Sequence, residues 1–269
     1  MIGYPFYSCI PHEARRMTTH RSTIIALGAL FALGLAAPLH AQRSGDGYLF
    51  HEPEGRLSIR VGYDHANAGS DVFAQSIDML TINKRDFSGL TLGAEAGFPL
   101  SSRLDLSIDV GFSHAGKGSE DRRNIEIINN DSLPIKQTTS FDRVPLTANL
   151  RFYLTEPGRS IGKLAWIPNK IVPWIGIGGG MMWYRFRQQG DFVDYKTFNI
   201  ITSDLNSSGW TGTAQGMGGA DISLSPHVAL RADVRYVWAK AQLDSPAFSG
   251  FDRIDLSGVQ GTLGLTYRL

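Results

Sequence analysis

From Arg56 to the end, the sequence repeats one pattern eight times: apolar and polar residues alternate with period two. Such alternation marks strands whose two faces meet different surroundings. The first segment sets Leu57, Ile59, Val61 and Tyr63 against Ser58, Arg60, Gly62 and Asp64. The second sets Leu90, Leu92, Ala94, Ala96 and Phe98 against Thr91, Gly93, Glu95 and Gly97. The third alternates Leu104, Leu106, Ile108, Val110 and Phe112 with Asp105, Ser107, Asp109 and Gly111. The fourth alternates Val144, Leu146, Ala148, Leu150 and Phe152 with Arg143, Thr147, Asn149, Arg151 and Tyr153. In the fifth, about 173–186, Ile175, Ile177, Met181 and Trp183 form the apolar face and Gly176, Gly178 and Gly180 the other. The sixth, about 209–224, is weaker, with Trp210, Ala220, Ile222 and Leu224 against Gln215 and Asp221. The seventh sets Val228, Leu230, Ala232, Val234, Tyr236 and Trp238 against Arg231, Asp233 and Arg235. The eighth sets Val259, Leu263, Leu265, Tyr267 and Leu269 against Gln260, Thr262, Gly264, Thr266 and Arg268.

Connections between these segments alternate in length. Segments two and three meet at Pro99 to Arg103, and six and seven at Ser225-Pro226-His227. The connections at 66–86, 114–142, 187–208 and 240–254 are longer and polar, and read as loops. The 155–172 link is longer than its class, and its Pro157-Gly158, Ile167-Pro168 and Pro173 suggest an ordered excursion. Short turns at one end and long loops at the other fit an eight-stranded antiparallel up-and-down transmembrane β-barrel, with periplasmic turns and extracellular loops.

Alternation alone does not say which face looks inward, since a soluble lipocalin-type barrel has the reverse arrangement. Charge type decides. Six arginines (Arg60, Arg143, Arg151, Arg231, Arg235, Arg268) and six acids (Asp64, Glu95, Asp105, Asp109, Asp221, Asp233) fall on the polar faces. All seven lysines fall in connections. A confined lumen favours arginine, whose planar fork pairs with carboxylates in bidentate fashion. The twelve residues are therefore expected to form a structural ion-pair network filling the lumen beside Asn149, Tyr153, Gln215 and Gln260. Aromatic residues near the ends of apolar faces, such as Phe112, Phe152, Trp183 and Trp238, suit interfacial girdles.

Residues 1–41 read as an N-terminal extension plus a cleaved secretory signal. Arg21 precedes an apolar run from Ile24 to Ala37, and His40-Ala41 offers the cut, with Met17 as the expected true start. Residues 42–55 read as a loose lead-in and 56–269 as the barrel. The chain beyond residue 41 carries 23 basic and 24 acidic residues, giving no electrostatic basis for nucleic-acid binding. Its only cysteine, Cys9, lies in the leader, so neither a disulfide framework nor a thiolate metal site is expected.

The stretch from Gly209 to Trp238 resembles the penultimate hairpin of small outer-membrane barrels. Gly216, Gly218 and Gly219 lead there into Asp221–Pro226 and Val228–Tyr236. The ending Gly261–Leu269, Val144-Pro145-Leu146 and Val172-Pro173-Trp174 are similar to the same group. The resemblance covers about 56–269 and is to the OmpA transmembrane domain, OmpX, OmpW and related outer-membrane β-barrel domains. It implies export through the periplasm, insertion by the outer-membrane assembly machinery, and residence in outer-membrane lipid and lipopolysaccharide. The family includes adhesins and small-solute pores; many members end in Phe, whereas this chain ends in Leu269.

Candidate chemistry is sparse, and no cofactor or metal is expected. Gly176–Gly180 lacks both the Walker Lys-Ser/Thr and the dinucleotide acid, so it reads as relief of crowding. Asp64-His65 and Ser113-His114 lie near loop-side strand ends, where a His could activate a Ser. Asn129-Asn130-Asp131 lacks calcium-loop spacing, and Asp121-Arg122-Arg123 reads as a solvated cluster or a site for lipopolysaccharide phosphates. The expectation is a non-enzymatic monomer with a plugged, charged lumen and a structural or surface-interaction role. Sideways passage of small apolar molecules is the first alternative and lipid A modification the second.

Overall fold

A computed structural model describes residues 47–128, 131–162, 165–194 and 199–269. The proposed leader and Met17 lie outside the described residues. Eight long strands form the expected wall: β1 (Arg56–Ala66), β2 (Gly89–Ser101), β3 (Leu104–Ile128), β4 (Asp131–Tyr153), β7 (Ile171–Val193), β8 (Ile200–Ser223), β9 (Val228–Ala241) and β11 (Gly258–Arg268). Each pairs antiparallel with its neighbour, and the ring closes where β11 meets β1, from Arg56↔Arg268 to Ala66↔Gly258. Closure leaves no sheet edge along the barrel proper.

The faces fall as the alternation requires. Ile59, Leu90 and Ile177 are 65%, 70% and 68% exposed on the outer wall, whereas Arg151, Asp109 and Asp64 are 1%, 1% and 0% exposed within. A soluble barrel would reverse these values. The chain is an eight-stranded transmembrane β-barrel with an apolar wall.

Two of the expected long loops are strand instead. β3 and β4 run through 114–142 and pair almost to their tip, Ile128↔Asp131. β7 and β8 likewise run through most of 187–208, up to Val193↔Ile200. Both faces there carry polar residues such as Gln188, Gln189, Asn206 and Ser208, so the backbone ladder persists while the apolar signal disappears.

The connection at 66–86 also has structure. Ser70 stands at the N-cap of helix α1 (Asp71–Met79), which buries Val72, Phe73, Ser76 and Met79 on one face. A 3-10 turn, Lys84–Phe87, follows. Another, Pro246–Phe248, and the two-residue strand β10 (Ile254–Asp255) occupy the connection after β9.

At the opposite end, the link after β4 forms a small hairpin, β5 (Gly158–Ile161) with β6 (Ala165–Pro168), as an ordered excursion would. The described part of the lead-in, 47–55, is not loose. Leu49 makes reciprocal backbone bonds with Trp166 (2.8 and 2.7 Å), and Glu54 N–H donates to the Leu269 carbonyl at 3.1 Å. Burial of Leu49 and Trp166 at this end explains the ordering.

Candidate functional site: a filled lumen beneath an external wall

The lumen has two storeys. Alternation aims the polar residues of all eight strands into the storey nearer the short turns, where their charges assemble into clusters. Near the turns, Arg56 pairs with Asp105, and Tyr153 Oη donates to Asp105 Oδ2 at 2.8 Å. Beside it, Glu95 accepts from Arg151 at 2.7 Å and from Arg231 at 2.8 Å. Arg231 also grips Asp221 through two bonds of 2.7 and 2.8 Å. Trp174 underlies this cluster: its Nε1–H donates to Asp221, and the Arg151 guanidinium stacks 4.3 Å from its ring centroid.

Further up, Asp109 accepts from Arg60 at 2.7 Å, and Arg235 links Asp109 to Asp233 at 3.4 and 3.0 Å. Arg143 pairs with Asp64 at 2.7 Å, while Gln260 donates to the same carboxylate. Gln215 reaches over β7 to Thr147 and Asn149 at 2.9 and 2.6 Å. Two glycines make room for the side chains as they are placed. A Cβ on Gly93 would sit 2.4 Å from the Arg60 guanidinium carbon, and one on Gly178 would sit 1.8 Å from Asn149 Oδ1.

Eleven of the twelve expected network residues thus enter ion pairs. Arg268 does not. It is buried, but it donates to the Ser225 and Pro226 carbonyls and to Ser223 Oγ, and its guanidinium lies over Trp166. No carboxylate lies within 4.0 Å of it among the described residues. Sequence reading missed Arg56, the first residue of its strand, although its parity with Ser58 and Arg60 pointed inward.

The second storey is apolar and was not anticipated. Phe73 of α1 sits in the barrel mouth, with its ring centroid 4.6 Å from that of Phe87, 5.4 Å from Phe141 and 5.6 Å from Phe186. Met182, Tyr184, Val237 and Phe248 complete the layer. The wall clamps α1 from the side: Gln188 donates to Ser76 Oγ at 3.1 Å, Arg122 to the Leu80 carbonyl, and Arg123 pairs with Asp78. Arg122 and Arg123 are exposed, as a solvated cluster would be, and they also brace α1 and the residue that follows it.

The candidate catalytic dipeptides are split across the wall. Asp64 and Ser113 face the lumen, while His65 and His114 face outward, because successive strand residues point to opposite sides. His114 Nδ1 instead meets Asp142 at 2.5 Å, and Arg185 covers the same carboxylate. His65 Nδ1 lies 3.2 Å from Ser88 Oγ, a contact sequence reading did not foresee. That hydroxyl already accepts the Ala66 N–H, and His65 has no acid partner among the described residues. Asn129 and Asn130 lie outside the described residues, and no group of three metal-binding side chains occurs among those described.

No protein-family model and no curated protein matches the chain. Solved structures do. Neisserial surface protein A is 12% identical, with a TM-score of 0.41, over 80% of this chain and 96% of that one. The outer membrane protein OprG from Pseudomonas aeruginosa is 14% identical, with a TM-score of 0.44, over 82% and 99%. Ail, the attachment invasion locus protein of Yersinia pestis, is 14% identical, with a TM-score of 0.37, over 80% and 99%. The barrel assignment itself rests on the closed register and the exposed apolar wall described above.

Proposed function

We propose that this protein is a non-enzymatic, surface-interaction barrel of the outer membrane of a Gram-negative-type bacterium. It is exported through the periplasm, inserted by the assembly machinery, and held as a monomer in outer-membrane lipid and lipopolysaccharide. The carrying observation is the wall formed by β3, β4, β7 and β8. β2 ends opposite His114, yet β3 continues to Ile128. At roughly 3.4 Å per residue the extension is about 45 Å along the strand, far more than a membrane crossing needs. A strand only crossing the bilayer needs about ten residues. The remainder supports a rigid platform outside the cell, above a lumen filled with side chains.

The test shortens the wall without touching the barrel. Residues 119–137 are replaced by an Asn-Gly turn between Gly118 and Thr138, which pair directly. The variant is expected to fold and keep heat-modifiable gel mobility, yet lose the adhesion that the full chain gives cells on immobilised extracellular-matrix proteins. Planar-bilayer recordings of the full chain should show no large steady conductance. Steady conductance, or full adhesion by the shortened variant, overturns the reading.

A second reading draws on the apolar storey. An aromatic chamber under a single helix suits passage of small apolar molecules, with α1 as the part that must move. A disulfide tying α1 to the wall, through Ser76→Cys and Gln188→Cys, would block such passage and leave adhesion unchanged.

A further inference from the structure

The lumen contains more cation than anion. Among the described residues, seven arginines are buried inside it, Arg56 included, against six carboxylates. The imbalance is local. In the half nearer the loops, Arg60, Arg143 and Arg235 are matched by Asp109, Asp64 and Asp233. In the half nearer the turns, the buried carboxylates among the described residues that face Arg56, Arg151, Arg231 and Arg268 are Asp105, Glu95 and Asp221. An uncompensated charge in a sealed, poorly hydrated space is strongly unfavourable.

The same half holds unsatisfied donors. Arg151 Nε and Nη1, Asn149 Nδ2 and Ser107 Oγ are buried without a hydrogen-bond partner among the described residues. Ser107 and Asn149 stand directly opposite each other across β3 and β4, and Arg151 is the next inward residue along β4. Asn149 Oδ1 accepts from Gln215 and lies against Gly178, so its amino group turns the other way, toward β3. Asp105 Oδ1 is also unpartnered and lies across from Arg151. Whichever carboxylate Arg151 favours, the count of arginines to acids is unchanged.

We propose that the turn-side half of the lumen binds one small monovalent anion, a halide, held by Arg151, Asn149 Nδ2 and Ser107 Oγ. One negative charge cancels the excess, whereas a divalent anion would reverse it. A halide only accepts hydrogen bonds, as a set of donors requires. Because Arg151 is almost fully buried, the ion is enclosed and acts as part of the folded barrel. Binding to the folded state alone must therefore appear as stability that depends on anion concentration.

The test refolds the full chain in detergent and unfolds it in urea with sodium chloride, bromide or gluconate at constant ionic strength. Above half-saturation, the unfolding constant should fall about tenfold for each tenfold rise in chloride or bromide, and gluconate should have no such effect. Crystals grown in sodium bromide should show anomalous scattering beside Arg151. Asn149→Asp places a permanent negative charge at the site and should remove the halide dependence. Equal stabilisation by gluconate overturns the proposal. So does bromide found only outside the lumen, or undiminished halide dependence in Asn149→Asp. If that variant fails to fold, the two wild-type measurements still decide.

Discussion

Replacing Arg231 with Ala probes the ion network most directly. Arg231 makes two bonds to Asp221, one to Glu95 at 2.8 Å and a longer one to Ser58 at 3.3 Å. Without it, Glu95 keeps Arg151, but Asp221 keeps only the Trp174 N–H. Asp221 is then buried without a hydrogen-bonded cation, a loss of about 3–5 kcal/mol. Lys240 is the control: it is exposed on β9, its side chain enters no ion pair among the described residues, and Lys240→Ala should stay within about 0.5 kcal/mol of wild type. Urea unfolding of the detergent-folded protein, followed by tryptophan fluorescence and by heat-modifiable gel mobility, measures both. The double change Arg231→Met with Asp221→Leu removes both charges and should regain most of the loss, because apolar replacement of a buried pair is often neutral. Matching losses for Arg231→Ala and Lys240→Ala would refute the network as a stabilising element. A double variant as unstable as the single one would show that packing, not charge, set the cost.

Other consequences follow from the wall and the mouth. Leu230 faces lipid, so Leu230→Arg should reduce insertion into lipid vesicles, at a cost of about 2–4 kcal/mol near the midplane, and insertion equal to Lys240→Arg would contradict its placement. Phe73→Ala removes the central ring of the aromatic layer and should speed amide exchange in α1 while the barrel strands stay protected; unchanged exchange would mean the helix is held mainly by its polar clamps. Cysteine at Asn206 should react with an impermeant maleimide on intact cells and cysteine at Ser102 should not, since they lie at opposite ends of the barrel. The reverse labelling pattern would invert the topology.

How much the sequence revealed depended on where lipid would impose its rule. Between Arg56 and Ala66, or Val228 and Trp238, one face must be apolar and the other must fit a lumen, so alternation gives strand, face and register together. Even in glycine-rich β7, Ile175 and Ile177 emerged outside and Gly176 and Gly178 inside, as their parity required. Beyond the bilayer that pressure ends. Thr138, Gln189 and Asn206 are acceptable on either face, so hydrogen bonding alone carries the strands there and no periodicity records it. Helix α1 had a weak signal, a serine N-cap followed by Val72, Phe73 and Met79 at helical spacing, interrupted by polar Gln75 and Ser76. The inward placement of all twelve expected residues followed from residue type and parity, although Arg268 joins no ion pair among the described residues. The partner of each member did not, because barrel closure brings together residues far apart in sequence, such as Ser58 and Thr266.

The two storeys show why one rule could not describe the whole lumen. Where the wall is a complete ring, every inward position must be filled and every polar backbone group is already paired, so long arginines and short acids can cross-link the interior. Gly93 and Gly178 yield the space those side chains need. Toward the loops, β2 and β11 end at Gly89 and Gly258 while the wall continues, and the ring becomes an open half. Strand residues alone cannot fill that mouth. The chain fills it with a separate element, α1, whose phenylalanine meets Phe141 from β4 and Phe186 from β7. An ionic interior would serve poorly there, since water reaches the rim and screens charge. Apolar packing keeps its strength at such a boundary, and it lets the plug be a segment whose only ion pair to the wall among the described residues, Asp78 with Arg123, is solvent-exposed. The charged storey therefore fixes the barrel, and the aromatic storey is where any movement of the mouth must begin.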